Sequence, residues 1–509
     1  MIVQQEETIC VATASYSYTL SEHTYLRPSC KTILMEPPPP PPPPPHFLVV
    51  TFPAQGHLNP ALHLAKRLAS STDARVTFST GIAAHRRMFP SISSDSQVID
   101  GGITYIPFSD GSSSSAHNPN VDGDLRSFVS EIKRLGSPHL ASILRDLNIS
   151  GHPVTCVIYT IMLQWAGDVA FDLGIPTALY WIQAATVLCI YHHFFNGLEP
   201  LIAAHGRDPS FPIAFPSLPV LQIRDLPTFL TITTPDEPFF DILLALRHVF
   251  DALSRRRRAG ERPAVLVNSF DELEPEALAS MAEHMDLVSV GPVMPGEAES
   301  ATADMFDQNE KEYMEWLDEQ EEGSVVYAAF GSVHKLSREE IEEIGKGLRE
   351  SQRPYLWVVR KDSRFEGVEL EQGKKKKKKQ GMVVEWCSQL KVLAHGAVGC
   401  FVTHGGWNST VEGLVLGVPA VAMPKWSDQG TNAWLMERVW GTAVRAEEGG
   451  DGKVSAGELR RCLEIVMGEG ERGAEIRRRA EMWKEKARKA IGDGGSSARN
   501  LKAFGSTSK

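Results

Sequence analysis

The chain has 509 residues, of which 42% are hydrophobic, and can therefore bury large cores; at roughly 150 residues per domain it suggests about three units, reduced to two once the tails are removed. Its formal net charge of −11 argues against general binding to nucleic acid or anionic membranes, because both favour a basic surface. Seven cysteines (Cys10, Cys30, Cys156, Cys189, Cys387, Cys400 and Cys462) form no CxxC pair, as expected for reduced thiols in the cytoplasm, and no zinc site is evident.

Met1 to Lys31 carries Glu6 and Glu7 and has no basic segment followed by an apolar core, so it does not read as a secretory signal. Pro37 to Pro45 is an uninterrupted proline run, expected to be a stiff polyproline II spacer within a disordered extension, residues 1–45. The first strand is predicted at His46 to Phe52. The following segment, PAQGHLNPALHLAKRLA, reads as a turn and helix with Asn59 as cap and Pro60 at the first helical position. His57 thus falls in the turn at a strand's carboxyl end, where open α/β sheets bind ligands. A turn histidine alone is more often structural or solvated than catalytic.

Leu173 to Tyr191 is an uncharged run near bilayer-spanning length, but Gly174 and Pro176 break it early, so LGIPTALYWI reads as a loop and buried strand leading to a helix, with no membrane span. Ala264 to Glu272 reads as a late strand and turn, and Gly291 to Gly296 marks the crossing to a second domain. Ser324 to Phe330 and Tyr355 to Arg360 are predicted strands, with a capping box at Ser337 and Glu340 between them. Lys374 to Lys379 reads as a solvated loop.

The densest chemistry lies in Trp386 to Gln429, WCSQLKVLAHGAVGCFVTHGGWNSTVEGLVLGVPAVAMPKWSDQ. Ala397 to Thr403 suits a buried parallel strand, with His404 at its carboxyl end. Gly405 and Gly406 give a turn where a ligand can approach, and Asn408 and Ser409 are good caps for a helix over Thr410 to Leu416. A helix N-terminus there can hold a diphosphate without a basic patch. Gly417 ends the helix, Val418 to Met423 reads as the next strand, Glu412 is placed to bind ribose hydroxyls, and Trp386 offers a flat face for a base. Taken singly these are weak signals, since a lone histidine or tryptophan is more often core than ligand.

As a complete string, the segment resembles the signature box of plant secondary-product glycosyltransferases, UDP-sugar-dependent enzymes of the GT-B fold. The resemblance implies an α/β architecture of two facing Rossmann-like domains with parallel sheets and a cleft between them. It places an acceptor-binding domain at 46–290, a linker at 291–312, a UDP-sugar-binding domain at 313–485, and a final segment, 486–509, packing back on the first domain. It further implies that Trp386 stacks on uracil, Gln389 and Glu412 bind ribose, and His404, Asn408 and Ser409 hold the diphosphate, with Ser332 and Cys387 also in the UDP-sugar site. Trp407, Asp428 and Gln429 would face the sugar, and a glutamine at that last position accompanies UDP-glucose as donor. Members of the family begin just before the first strand, so Met35 is the expected initiator.

The histidine of the family's PxxGHxNP turn is the general base, here His57, taking a proton from the acceptor hydroxyl as that oxygen displaces UDP with inversion. The resemblance implies no metal and no cofactor beyond the donor substrate, a small-molecule acceptor as the partner, a monomer, and cytoplasmic location. Two positions depart from the family. Gly405 replaces a usual cysteine, and Thr160, in VIYTIMLQW, stands where an aspartate usually orients the histidine. A threonine hydroxyl can accept a hydrogen bond from the imidazole but cannot balance an imidazolium. The same replacement, with FPAQGHLNPALHLAKRL and Ala83 to Met88, resembles the subgroup of anthocyanidin 5-O-glucosyltransferases and of enzymes forming glucose esters of crocetin or indole-acetate. The expected activity is therefore glucosyl transfer to a hydroxyl or carboxyl group of a flavonoid, anthocyanidin, phenolic or carboxylic acid. The alternative is a catalytically impaired UDP-sugar-binding protein.

Overall fold

A computed structural model describes residues 43–91, 96–111, 125–237, 239–294, 310–331, 335–365 and 380–507. The polyproline run up to Pro42, Ser332, the lysine run and most of the predicted linker lie outside the described residues.

The first half of the chain builds an eight-stranded sheet. Its strands are β1 (His46–Val50), β2 (Arg75–Ser79), β3 (Val98–Asp100), β4 (Ile103–Tyr105), β5 (Cys156–Thr160) and β6 (Thr177–Trp181). A short antiparallel pair, β7 (Pro212–Ile213) and β8 (Leu221–Gln222), stands apart, and β9 (Ala264–Val267) and β10 (Asp286–Ser289) complete the sheet. The order is β10-β9-β6-β5-β1-β2-β4-β3, parallel throughout except for β3 against β4. β1 and β5, buried at every position, sit side by side with Val50 opposite Tyr159. Continuous apolar runs of this kind are what a sheet covered on both faces demands.

The second half forms a six-stranded, wholly parallel sheet from β11 (Val325–Ala329), β12 (Tyr355–Val358), β13 (Gly381–Val384), β14 (Val398–Thr403), β15 (Ala420–Ala422) and β16 (Ala443–Arg445). Its order is β13-β12-β11-β14-β15-β16. Each sheet therefore reverses its winding once, between β1 and β5 in the first and between β11 and β14 in the second. The crevices that such switch points open at the strands' carboxyl ends are where α/β sheets take ligands. His57 follows β1, and His404 follows β14.

The uncharged run at 173–191 resolves into a loop, β6 and the helix Ala185–His193, all of it buried from Thr177 to Ile182 and from Ala184 onward to His192. No helix among the described residues is long and apolar enough to cross a membrane. The predicted capping box is present, Ser337 Oγ accepting from Glu340 N at 3.2 Å and Glu340 accepting from Ser337 N at 2.9 Å. At the far end, the helix Ser496–Thr507 lies against the first helix and β10, with Asn500 Nδ2 donating to the Ser289 carbonyl at 3.0 Å.

Candidate active site

The first helix starts earlier than its sequence suggests. It spans Gln55–Ser71 with Ala54 as an N-cap that supplies no side-chain bond, so Asn59 is not the cap and Pro60 lies inside the helix. This has a local consequence. Pro60 has no N–H with which to close the i→i−4 bond to the Gly56 carbonyl. The Asn408 amide, from the second half of the chain, donates to that carbonyl at 3.1 Å instead.

His57 thus sits in the first turn of this helix, half-buried, its ring 5.3 Å from that of Phe52. Its Nδ1 is buried without a hydrogen-bond partner. Desolvation lowers its pKa to about 4, against a smaller upward pull from the Ile161 backbone, so the imidazole is neutral at pH 7.

Thr160 does not meet the expectation of a hydrogen bond to this imidazole. Its hydroxyl, fully buried at the end of β5, accepts from Phe52 N at 3.3 Å and pairs with the Thr51 hydroxyl at 3.4 Å. It ties the end of β5 to the end of β1, and neither of these bonds goes to His57.

The helix of the box spans Trp407–Leu416, three residues longer at its start than predicted, because Gly406 and not Asn408 or Ser409 is the N-cap. Gly406 offers no side chain to the first N–H groups, which leaves that helix end open to an anionic group. His404 lies beside it, wedged between two glycines: a Cβ on Gly331, after β11, or on Gly406 would each come within 2.6 Å of His404 Nε2. The imidazole therefore occupies the switch point of the second sheet.

Gln389, the first residue of its helix, links the next residues of the box. Its Nε2 donates to Ser409 Oγ at 2.9 Å and to Glu412 at 2.5 Å, while its Oε1 accepts from Tyr327 at 3.3 Å. Trp386 is partly exposed in the loop after β13. Cys387 has a buried thiol 3.4 Å from the Tyr327 hydroxyl, so its side chain belongs to the core and is not available to a ligand.

Trp407 is likewise committed elsewhere. Its indole is buried and donates to the Asn268 carbonyl at 2.9 Å, so the ring joins the two halves of the chain and does not face a sugar. Asp428 and Gln429 lie together at the start of the helix Gln429–Trp434. Burial raises the Asp428 pKa, and hydrogen bonds to Asn432, Ser427 and Gln183 oppose that rise. Gln429 Oε1 accepts from Lys425 N at 2.8 Å and Trp426 N at 3.1 Å, which orients the amide.

Two contributors escaped the sequence reading. Asn432 donates to the Gly405 carbonyl at 2.8 Å and to Asp428 at 2.9 Å, joining the glycine turn to the carboxylate; its i+4 spacing from Asp428 was the available signal. Tyr327 supports Gln389 from inside β11, and nothing in an apolar strand marks it out.

A family model described as UDP-glucoronosyl and UDP-glucosyl transferase matches residues 267–489. The UDP-glycosyltransferase 75C1 of Solanum lycopersicum is 45% identical over 469 residues, covering 90% of this chain and 97% of that protein. The anthocyanidin 3-O-glucoside 5-O-glucosyltransferase 1 of Perilla frutescens is 43% identical, covering 90% and 97%. Among solved structures, Os79 from O. sativa in complex with UDP superposes with a TM-score of 0.75 at 31% identity, covering 91% of this chain and all of that one.

Proposed function

Because the chain belongs to the UDP-glucoronosyl and UDP-glucosyl transferase family, we propose that it transfers glucose from UDP-glucose, with inversion, to an acidic hydroxyl or a carboxyl group of a small plant metabolite. That it is a UDP-sugar-dependent glycosyltransferase with the two-sheet GT-B architecture follows from the family itself. The finer reading rests on one observation: His57 is a neutral, weakly basic imidazole held at the open end of the box helix through the Asn408 bond to Gly56.

In this mechanism His57 takes the acceptor proton as the oxygen attacks the anomeric carbon and the bond to UDP breaks. Charge developing on the departing diphosphate meets His404 and the uncapped N–H groups at Trp407 to Ser409. Gln389 and Glu412 form the ribose end, Trp386 the base end, and Asp428 with Gln429 the sugar end. No metal or other cofactor enters the scheme.

Such a weak base is asked for least when the acceptor proton is more acidic than that of an aliphatic alcohol, as in the phenols of flavonoids and anthocyanidins, and is not needed for carboxylic acids that arrive already ionised. The named activity of the Perilla relative, on an anthocyanidin glucoside, agrees with this class. The five cysteines among the described residues are all free and buried, which suits a reducing compartment such as the cytoplasm. A mass-spectrometric screen with UDP-glucose, and UDP-galactose beside it, against flavonoids, anthocyanidins and carboxylic acids tests the reading, with the product anomer assigned by NMR. A β-glucoside or β-glucose ester is expected; an α-linked product, or turnover of alcohols alone, would refute it.

A further inference from the structure

The segment Arg224–Thr228 belongs to the first half of the chain yet ends on the loop and helix that carry Asp428 and Gln429. Thr228 and Ser427 exchange two bonds: Thr228 N donates to the Ser427 carbonyl at 3.0 Å, and Ser427 N donates to Thr228 Oγ1 at 2.8 Å. Ser427 is held at φ +59°, a left-handed conformation that a non-glycine residue adopts at a cost and keeps only where its surroundings impose it. One residue past Gln429, a Cβ on Gly430 would lie 2.8 Å from the Arg224 carbonyl, so main chain meets main chain here. Thr431, fully buried, donates to the Asp225 carbonyl at 2.6 Å. Beyond it, Arg445 in β16 pairs with the buried Asp225 carboxylate at 2.7 Å and donates to the Arg224 carbonyl at 3.0 Å. On the outer side, the Trp426 ring packs against Phe229 at 5.8 Å and Phe239 at 5.3 Å.

We propose that Arg224–Thr228 is a positioning clamp for the sugar end of the donor, with Thr228, Asp225, Thr431 and Arg445 as its positioning residues. None of these side chains needs to touch the donor. They fix the backbone of Ser427 to Thr431 from the acceptor side, and so fix where the Asp428 carboxylate and the Gln429 amide point. The ribose end is braced differently, Gln389 bonding to Ser409 and Glu412 within the second sheet's own elements, and the box helix is tied to the first half at Asn268 and Gly56, away from this segment. The clamp rests on the reading that Asp428 and Gln429 hold the sugar. It adds that this half of donor recognition is set by residues of the acceptor-binding half, so selectivity for the sugar depends on both.

The test is calorimetric binding of UDP and of UDP-glucose to the full-length protein without acceptor, on wild type and on Thr228→Val, Thr431→Val, Arg445→Lys, Arg445→Met and Gln429→Ala, with thermal midpoints alongside. The ratio of the two dissociation constants isolates the sugar end. Thr228→Val and Thr431→Val each lose one hydrogen bond at nearly constant shape and should weaken UDP-glucose roughly three- to tenfold while leaving UDP within twofold. Arg445→Met should do the same, and Arg445→Lys should recover part of the loss. Equal weakening of both ligands, or a lowered midpoint with an unchanged ratio, would mark a merely structural seam and overturn the clamp. If Gln429→Ala weakens UDP-glucose and the clamp variants do not, the clamp alone fails. Should Gln429→Ala leave UDP-glucose unmoved, the sugar assignment fails and the clamp with it.

Discussion

Asn408 donates its side-chain amide to the main-chain carbonyl of Gly56 at 3.1 Å, bonding the start of the box helix to the residue preceding His57. The carbonyl is free for this because Pro60, four residues on, has no N–H to offer it.

Restoring that N–H should be felt in the chemistry before it is felt in the fold. In Pro60→Ala the new amide competes with Asn408 for Gly56, while removal of an interior proline relieves a helix of a residue that costs roughly 3 kcal/mol in that position. The thermal midpoint is therefore expected to hold or rise as kcat drops several-fold. A fall in both, in melting and steady-state assays, would show that proline packing matters more than the freed carbonyl.

Loss of the base itself should be larger and confined to turnover. His57→Ala is expected to reduce kcat by roughly 10²- to 10⁴-fold, the usual contribution of a positioned base, with UDP affinity kept within about threefold. Residual activity on carboxylic acids should exceed that on phenols, since an ionised acceptor has no proton to give up. Unchanged turnover in the purified variant would reject His57 as the base.

The pH dependence follows from His57 having a pKa of about 4 in the folded protein. The acid limb of kcat/KM reports the free enzyme's base, so activity should stay level from pH 8 to about pH 5.5 and fall below that. An acid limb centred at 6.5 or higher would show that burial does not hold the imidazole's pKa down in the working enzyme, or that another group controls the limb.

Stability should fall over a related window. His192, pressed against His284 with ring centroids 4.4 Å apart, also titrates at about 4, lowered by desolvation and by the neighbouring His284, His193 and Arg257 charges. The unfolded imidazole takes a proton near pH 6.5 and the folded one only near 4; between these values the unfolded state binds more protons, and acidification favours it. Urea midpoints measured from pH 7.5 to pH 4.5 should decline below pH 6.5, and less steeply in His192→Gln. An identical slope in that variant would remove His192 from the account.

Thr160→Val separates a structural hydroxyl from an orienting one. The change leaves Phe52 N without its acceptor, which should cost about 1–3 kcal/mol of stability, with kcat per folded molecule little altered. A tenfold loss of kcat at an unchanged melting temperature would instead assign Thr160 to the alignment of His57.

The strands and the box were legible because their signals are local. Runs such as VVYAA and CFVT, short, apolar and bounded by turn residues, suit buried strands, and a strand, two glycines and a helix place His404 at the strand's end. The direction of side chains was not legible. Trp407 and Cys387 share the box with His404 and Glu412, yet they turn into the core because partners at Asn268 and Tyr327, distant in sequence, are there to receive them. Helix starts misled for a related reason. Asn59, Asn408 and Ser409 have the chemistry of caps, but two of them serve tertiary bonds, and the real caps, Ala54 and Gly406, have no capping side chain.

The bonds between the two halves have a chemical asymmetry. Trp407, Asn408, Thr431, Trp440 and Arg445 each reach from the second half to a main-chain carbonyl of the first, at Asn268, Gly56, Asp225, Leu273 and Arg224 respectively. A carbonyl is the same whatever residue bears it. At these five points the first half can therefore change its side chains and keep the bond, whereas Thr228, Asp225 and Arg224 meet Ser427, Arg445 and Glu447 through their own side chains. Chimaeras that join this second half to the first half of a relative should assemble, and new acceptor ranges can arise by drift in one half alone.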